Sequence, residues 1–126
     1  MLESAVTYSV LPASDLQRAI GWYRDKLEWE PEDSPEEGSV RYRTGTESRI
    51  LVYETSNAGT AKNTQLCWLV DDLEGTMEAM RGRGVTFEEY DFPGLKTENG
   101  IATDSGGRTA WFRDSEGNYL CLTQQS

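Results

Sequence analysis

Apolar positions along the chain fall into short clusters separated by turn-forming residues, and their spacing changes between strand-like and helix-like periods. Residues 6–11 (VTYSVL) have strand character, and Pro12 ends the run. Ser14 then opens a helix, with Gln17 three residues on in capping-box spacing. Leu16, Ile20, Tyr23 and Leu27 recur at helical spacing and give it one apolar face. Residues 27–30 turn into a strand, and Pro31 and Pro35 break the acidic turn that follows. Residues 39–44 (SVRYRT) alternate, and residues 49–54 (RILVYE) make a further strand. The first half therefore reads strand, helix, three strands.

A polar, small-residue linker (residues 56–63, SNAGTAKN) follows, and the order repeats. Residues 65–70 (QLCWLV) form a strand. Asp71 caps a helix, with Glu74 three residues later. Leu73, Met77 and Met80 line its buried face, and Gly82 and Gly84 stop it. Residues 85–90, 109–113 and 119–123 supply three more strands.

The repeat can be checked by spacing. Asp15-Leu16 recurs as Asp72-Leu73 at an offset of 57, whereas Arg41-Tyr42-Arg43 recurs as Trp111-Phe112-Arg113 at an offset of 70. The second half is therefore longer, and residues 92–107 (FPGLKTENGIATDSGG) absorb the excess. They read as a long loop, which serves either as a lid or binding element or as a surface excursion or dimer contact. The whole is one domain, residues 1–126, with repeats at 4–55 and 64–124. Two βαβββ modules each leave one sheet face to be covered. The economical α+β solution is an open eight-stranded mixed barrel with its helices outside and a cavity on the concave face.

Composition narrows the chemistry. Asp and Glu number 22 against 12 Lys and Arg, a net charge of −10. That sign argues against nucleic acid and against an anionic membrane surface. No apolar run is long enough to span a bilayer, and no secretory signal opens the chain, so a cytoplasmic location with reduced thiols at Cys67 and Cys121 is expected. There is no histidine. Imidazole ligands, bases and the familiar Ser-His-Asp and Cys-His arrangements are excluded with it.

Four stretches resemble the vicinal oxygen chelate superfamily, also called the glyoxalase/bleomycin-resistance/dioxygenase family. They are residues 14–27 (SDLQRAIGWYRDKL), Val70-Asp71-Asp72-Leu73, residues 81–87 (RGRGVTF), and residues 112–118 (FRDSEGN), the last like the family's F-x-D-P-D-G-N turn. The resemblance covers the whole chain and implies a scaffold rather than one chemistry. Its metal-dependent members place four ligands, mostly His and Glu, on the first and last strands of each module. Those positions fall here on Tyr8, Leu51, Gln65 and Cys121. Leu51 has no donor atom, Gln65 offers a neutral carbonyl, and catalytic divalent sites need about three good protein ligands. No metal or other cofactor is expected there.

Strand parity places Val10, Arg49, Tyr53, Cys67, Tyr119 and Thr123 on the same face as those four. The candidate ligand-binding residues are therefore Tyr8, Leu51, Tyr53, Gln65, Cys67, Cys121 and Trp111, which could stack a ligand ring. No catalytic residue is assigned. Glu54, Glu98 and Asp104 are the carboxylates nearest the strand ends and the long loop, and none is paired. The resemblance, with these departures at the four ligand positions, gives the expectation of a homodimer that binds a small aromatic or amphipathic molecule without metal. The alternatives are a lyase, isomerase or dioxygenase with an atypical metal site or none, and a partner-binding dimer with a filled cavity.

Overall fold

The apolar face of each helix and one face of each strand converge on a single core. The computed structural model describes residues 1–126. Its elements are β1 (Ser9–Ala13), α1 (Leu16–Leu27), β2 (Ser39–Thr44), β3 (Ser48–Glu54), β4 (Thr64–Leu69), α2 (Leu73–Gly82), β5 (Asp91–Phe92), β6 (Leu95–Glu98), β7 (Ile101–Asp104), β8 (Gly107–Arg113) and β9 (Tyr119–Gln125). The fold is α+β, with two helices and two mixed sheets. One sheet has the order β1-β3-β2 and the other β4-β9-β8-β7-β6-β5. In each, the strand preceding the helix pairs in parallel with the last strand, β1 with β3 and β4 with β9. No helix is long and apolar enough to cross a membrane.

Alternation decides which side chains enter the core. Leu11, Ala13, Val40, Tyr42, Ile50 and Val52 point inward from the small sheet, and Ala110, Phe112, Leu120 and Leu122 from the large one. Leu16, Ala19 and Tyr23 of α1 and Leu73, Met77 and Met80 of α2 complete it. Aromatic contacts tie the halves together: Trp22 stacks on Phe112 at 6.3 Å, and Trp29 lies 4.4 Å from Tyr42 and 5.9 Å from Trp68 between ring centroids.

A buried polar clamp reinforces this join. The turn between β8 and β9 presents Glu116, whose side chain is 1% exposed, to the start of α1. Arg18 donates to it through Nε at 2.9 Å and Nη2 at 3.1 Å, and the Asp15 backbone N–H donates at 3.0 Å. In the same turn, Asp114 Oδ1 accepts from the backbone N–H groups of Glu116 and Asn118. Asp114 Oδ2 accepts from the Tyr23 hydroxyl at 2.5 Å. Burial, with the adjacent Asp114 carboxylate, pushes the Tyr23 phenol well above its ordinary pKa, so it remains a donor.

Several sequence expectations are corrected. In place of one open eight-stranded barrel, the chain has nine strands in two separate sheets of three and six. Residues 27–30 are not a strand. Leu27 ends α1, Glu28 takes a left-handed cap with φ 54°, and Trp29 turns inward, leaving only a bridge from Asp33 to Arg41. Residues 85–90 contribute a bridge from Phe87 to Phe112 rather than a strand. The helix caps sit one residue later than expected. Asp15 accepts from the N–H of Arg18 and Asp72 from that of Gly75, while Ser14 Oγ donates to Glu116. Strand β1 starts at Ser9, beyond Val6 and Tyr8, and includes Pro12. A proline is tolerated there because β1 is an edge strand.

The largest correction concerns residues 92–107, which are not a loop. They form most of a β-meander that extends the large sheet through β7, β6 and β5. Asn99 (φ 53°) and Gly100 (φ 80°) make the two-residue turn between β6 and β7, the left-handed pair that such hairpins need. A Cβ at Gly100 would also come within 3.1 Å of Phe87 Cβ.

Two outcomes test this account. Gly100→Ala strains the turn and crowds Phe87, and should lower unfolding stability by about 1–2 kcal/mol in urea denaturation. Glu116 governs acid stability. Burial alone would raise its pKa, but the Arg18 guanidinium, the Ser115 hydroxyl and the Asp15 N–H together hold it down to about 2. A folded pKa below the unfolded value of about 4.3 contributes stability that is complete above that value and lost as pH falls toward 2. Glu116→Gln should cost about 2 kcal/mol at neutral pH and flatten the stability profile between about pH 4.5 and 2.

Candidate functional site

Inward burial leaves the opposite face of each sheet uncovered. On the small sheet Val10 lies opposite Leu51, and Pro12 opposite Tyr53. Tyr8 immediately precedes β1. Tyr8, Val10 and Tyr53 are 61%, 49% and 39% exposed, unusual for large apolar side chains. Guanidinium groups flank them, each already paired: Arg49 with Glu32 at 2.8 Å, and Arg41 with Asp33.

The outward face of the large sheet carries Cys67 and Leu69 from β4, Thr109 and Trp111 from β8, and Tyr119, Cys121 and Thr123 from β9. Cys67 and Trp111 each pair in register with Cys121. Thr123 Oγ1 lies 3.1 Å from Cys67 Sγ and 3.0 Å from Thr109 Oγ1. Trp111 is fixed by Nε1 donating to Thr64 Oγ1 at 3.0 Å. Gln65 sits at a bulge in β4, and its Oε1 accepts the Tyr119 backbone N–H at 3.1 Å.

Two residues missed in the sequence extend this face. The Tyr90 ring packs against Trp111 at 5.8 Å and against Phe92 at 5.9 Å, and Phe92 is exposed. Arg113 lies over the Tyr119 ring at 5.7 Å. The meander thus adds an aromatic row beside Trp111. The signal for it was the pair of turn sequences Pro93-Gly94 and Asn99-Gly100.

The seven candidate residues therefore form two groups. Leu51 and Tyr53 belong to one sheet, with Tyr8 just ahead of it, and Gln65, Cys67, Trp111 and Cys121 belong to the other. The main cavities within the chain take in none of them. One of about 710 Å³ runs between α2 and the meander, lined by Glu74, Arg81, Lys96 and Arg108 among others. Another, of about 350 Å³, lies at the end of α1 over Trp29, Trp68 and Met80. Glu54, Glu98 and Asp104 are all exposed and sit in neither group.

The model of the Glyoxalase/Bleomycin resistance protein/Dioxygenase superfamily matches residues 5–122. The chain belongs to this superfamily. Its fold is similar to that of TnmS3, an antibiotic binding protein from Streptomyces sp. CB03234, with a TM-score of 0.75 and 21% identity over 100% of this chain and 99% of that one. It is also similar to a glyoxalase/bleomycin resistance protein from Catenulispora acidiphila DSM 44928, with a TM-score of 0.68 and 20% identity over 98% and 100% of the two chains. The fosfomycin resistance protein FosX from Listeria monocytogenes, in a complex with Mn(II), matches with a TM-score of 0.70 and 13% identity over 98% of this chain and 91% of that one. No curated protein matches.

Superfamily membership makes the four metal positions testable on their own chemistry. Leu51 has no donor, and the Gln65 oxygen is already engaged by the Tyr119 N–H. Burial, and then the neighbouring Cys67 thiol, pushes Cys121 up to about 12, so it is a neutral thiol at physiological pH. Tyr8 lies outside the strands, ahead of β1, and would have to ligate as a phenolate. No group of three or more Cys, Asp or Glu side chains gathers elsewhere in the chain. These residues do not fit a catalytic divalent cation. Hydrophobic and aromatic contact, with hydroxyl and thiol hydrogen bonds, is what the two faces offer.

Proposed function

We propose that this superfamily member is a metal-independent binding protein for a small aromatic or amphipathic molecule, held between two copies of the chain. The observation that carries the reading is the exposure of large apolar side chains on both outward faces. A ligand pocket buries most of its guest, and neither open face does so alone. Bringing the Tyr8, Leu51 and Tyr53 face of one copy over the Trp111 and Cys121 face of a second supplies both walls.

The free edges favour the same arrangement. β1 and β4 are each paired along one side only, leaving backbone donors and acceptors for another strand. Pairing them between copies would join the two kinds of sheet into the open mixed barrel that the repeat pattern suggests. The row of Phe92, Tyr90 and Trp111 suits a planar ring, since stacking and edge contacts add to area burial. The antibiotic-binding activity named for TnmS3 is consistent with such a guest.

Two measurements check the proposal. Sedimentation should give a dimer, and Val10→Lys, a change at an exposed position of the single chain, should shift it to monomer without lowering helix content. A thermal-shift panel of aromatic metabolites and antibiotics should yield a ligand that stabilises by roughly 2.7 kcal/mol at a hundredfold excess over Kd. Its affinity should survive exhaustive EDTA treatment and fall roughly tenfold in Trp111→Ala, a loss of about 1.4 kcal/mol. Binding abolished by EDTA and restored by a divalent ion would overturn the metal-independent reading.

A further inference from the structure

Among the in-register pairs of the outward face, Cys67 and Cys121 bring two thiols together. They lie opposite one another where β4 and β9 run in parallel. Adjacent strands set such Cα atoms about 4.8 Å apart, within the roughly 4.4–6.8 Å that a disulfide spans. Both thiols are free; Cys67 is exposed and Cys121 is buried beside it. Thr123 holds the Cys67 sulfur on this face at 3.1 Å. Within one chain β4 pairs with β9 alone and is already irregular between Thr64 and Leu66, so a small shift toward β9 breaks no other ladder of that chain.

We propose that Cys67 and Cys121 form a redox modification site, which small disulfide compounds close to an intrachain disulfide. The exposed Cys67 thiol loses its proton, and its thiolate attacks one sulfur of the reagent R–S–S–R. A mixed disulfide forms at Cys67 and one thiolate RS⁻ departs. Cys121 then gives up its proton and attacks the Cys67 sulfur, forming the Cys67–Cys121 bond and releasing the second RS⁻. The protein loses two electrons and two protons, and the reagent leaves as two thiols. Burial and the adjacent thiol keep Cys121 protonated at neutral pH, so the second step is the slow one and speeds up as pH rises. The bond would fasten the edge strand to its neighbour and remove both thiols from the face next to Trp111. Both thiols belong to one chain, so the enclosure proposed above would slow the reagent's access without changing the product.

Glutathione disulfide is the probe, with intact mass, thiol titration after denaturation and peptide mapping as readouts. The wild-type chain should lose both thiols, retain no glutathione and yield one crosslinked peptide pairing Cys67 with Cys121, all reversed by dithiothreitol. Cys67→Ser should keep its remaining thiol free. Cys121→Ser should stop at a glutathione adduct on Cys67, with Cys121→Ala as the second variant if serine disturbs folding. A wild-type chain that accumulates the same adduct, crosslinks between copies or keeps both thiols would overturn the proposal, whatever the ligand screen finds.

Discussion

The Glu116 carboxylate, buried against the start of α1, is the constraint on which the rest of the structure depends. A charge so withdrawn from water is tolerable only with its partners in place, and those partners are Arg18, Ser14 and the Asp15 N–H, about a hundred residues earlier in the chain. The β8–β9 turn can therefore sit only where α1 begins. Asp114 adds the same demand from the same turn by accepting the Tyr23 hydroxyl. Once α1 is held there, Trp22 stacks on Phe112, and the inward faces of both sheets are committed to one core. The outward faces are left over by geometry, and that is why they can carry function.

Much of this was legible in the sequence, for reasons that differ by element. The helices follow from apolar spacing, because Leu16 and Tyr23, or Leu73, Met77 and Met80, can share a face only in a 3.6-residue period. Strand parity separates Ile50 and Val52 from Leu51 and Tyr53 in the sequence as it does in the structure. The meander was obscured because β6 (LKTE) and β7 (IATD) are short, polar and near a sheet edge. Such strands have little apolar alternation to announce them, and their turns, rather than their side chains, carry the signal. The caps were misplaced by one residue because Ser14 and Asp15 are both good cap formers, and only the long-range demand of Glu116 assigns Ser14 elsewhere.

The candidate site was legible as a list of residues but not as an arrangement. Parity says which side chains share a face, and it says nothing about which edges meet. The repeat pattern alone therefore suggests an open barrel without fixing which strands join the two sheets. Instead the aromatic contacts of Trp22 and Trp29 hold the two sheets core face to core face through α1. The apolar positions that would line a cavity are consequently split into two open halves.

The chemistry available to those halves follows from what occupies the ligand positions. A metal site needs donors that lose a proton or offer a lone pair at modest cost. Here one position is Leu51, which offers nothing, and another is Gln65, whose oxygen repairs the ladder at a bulge. Cys121 could in principle donate, but burial beside a second thiol makes its deprotonation expensive. The same burial that disqualifies it as a ligand places it beside the exposed Cys67, the partner to which disulfide exchange would join it. Packing at one pair of positions thus turns the face away from coordination and toward apolar contact and thiol exchange.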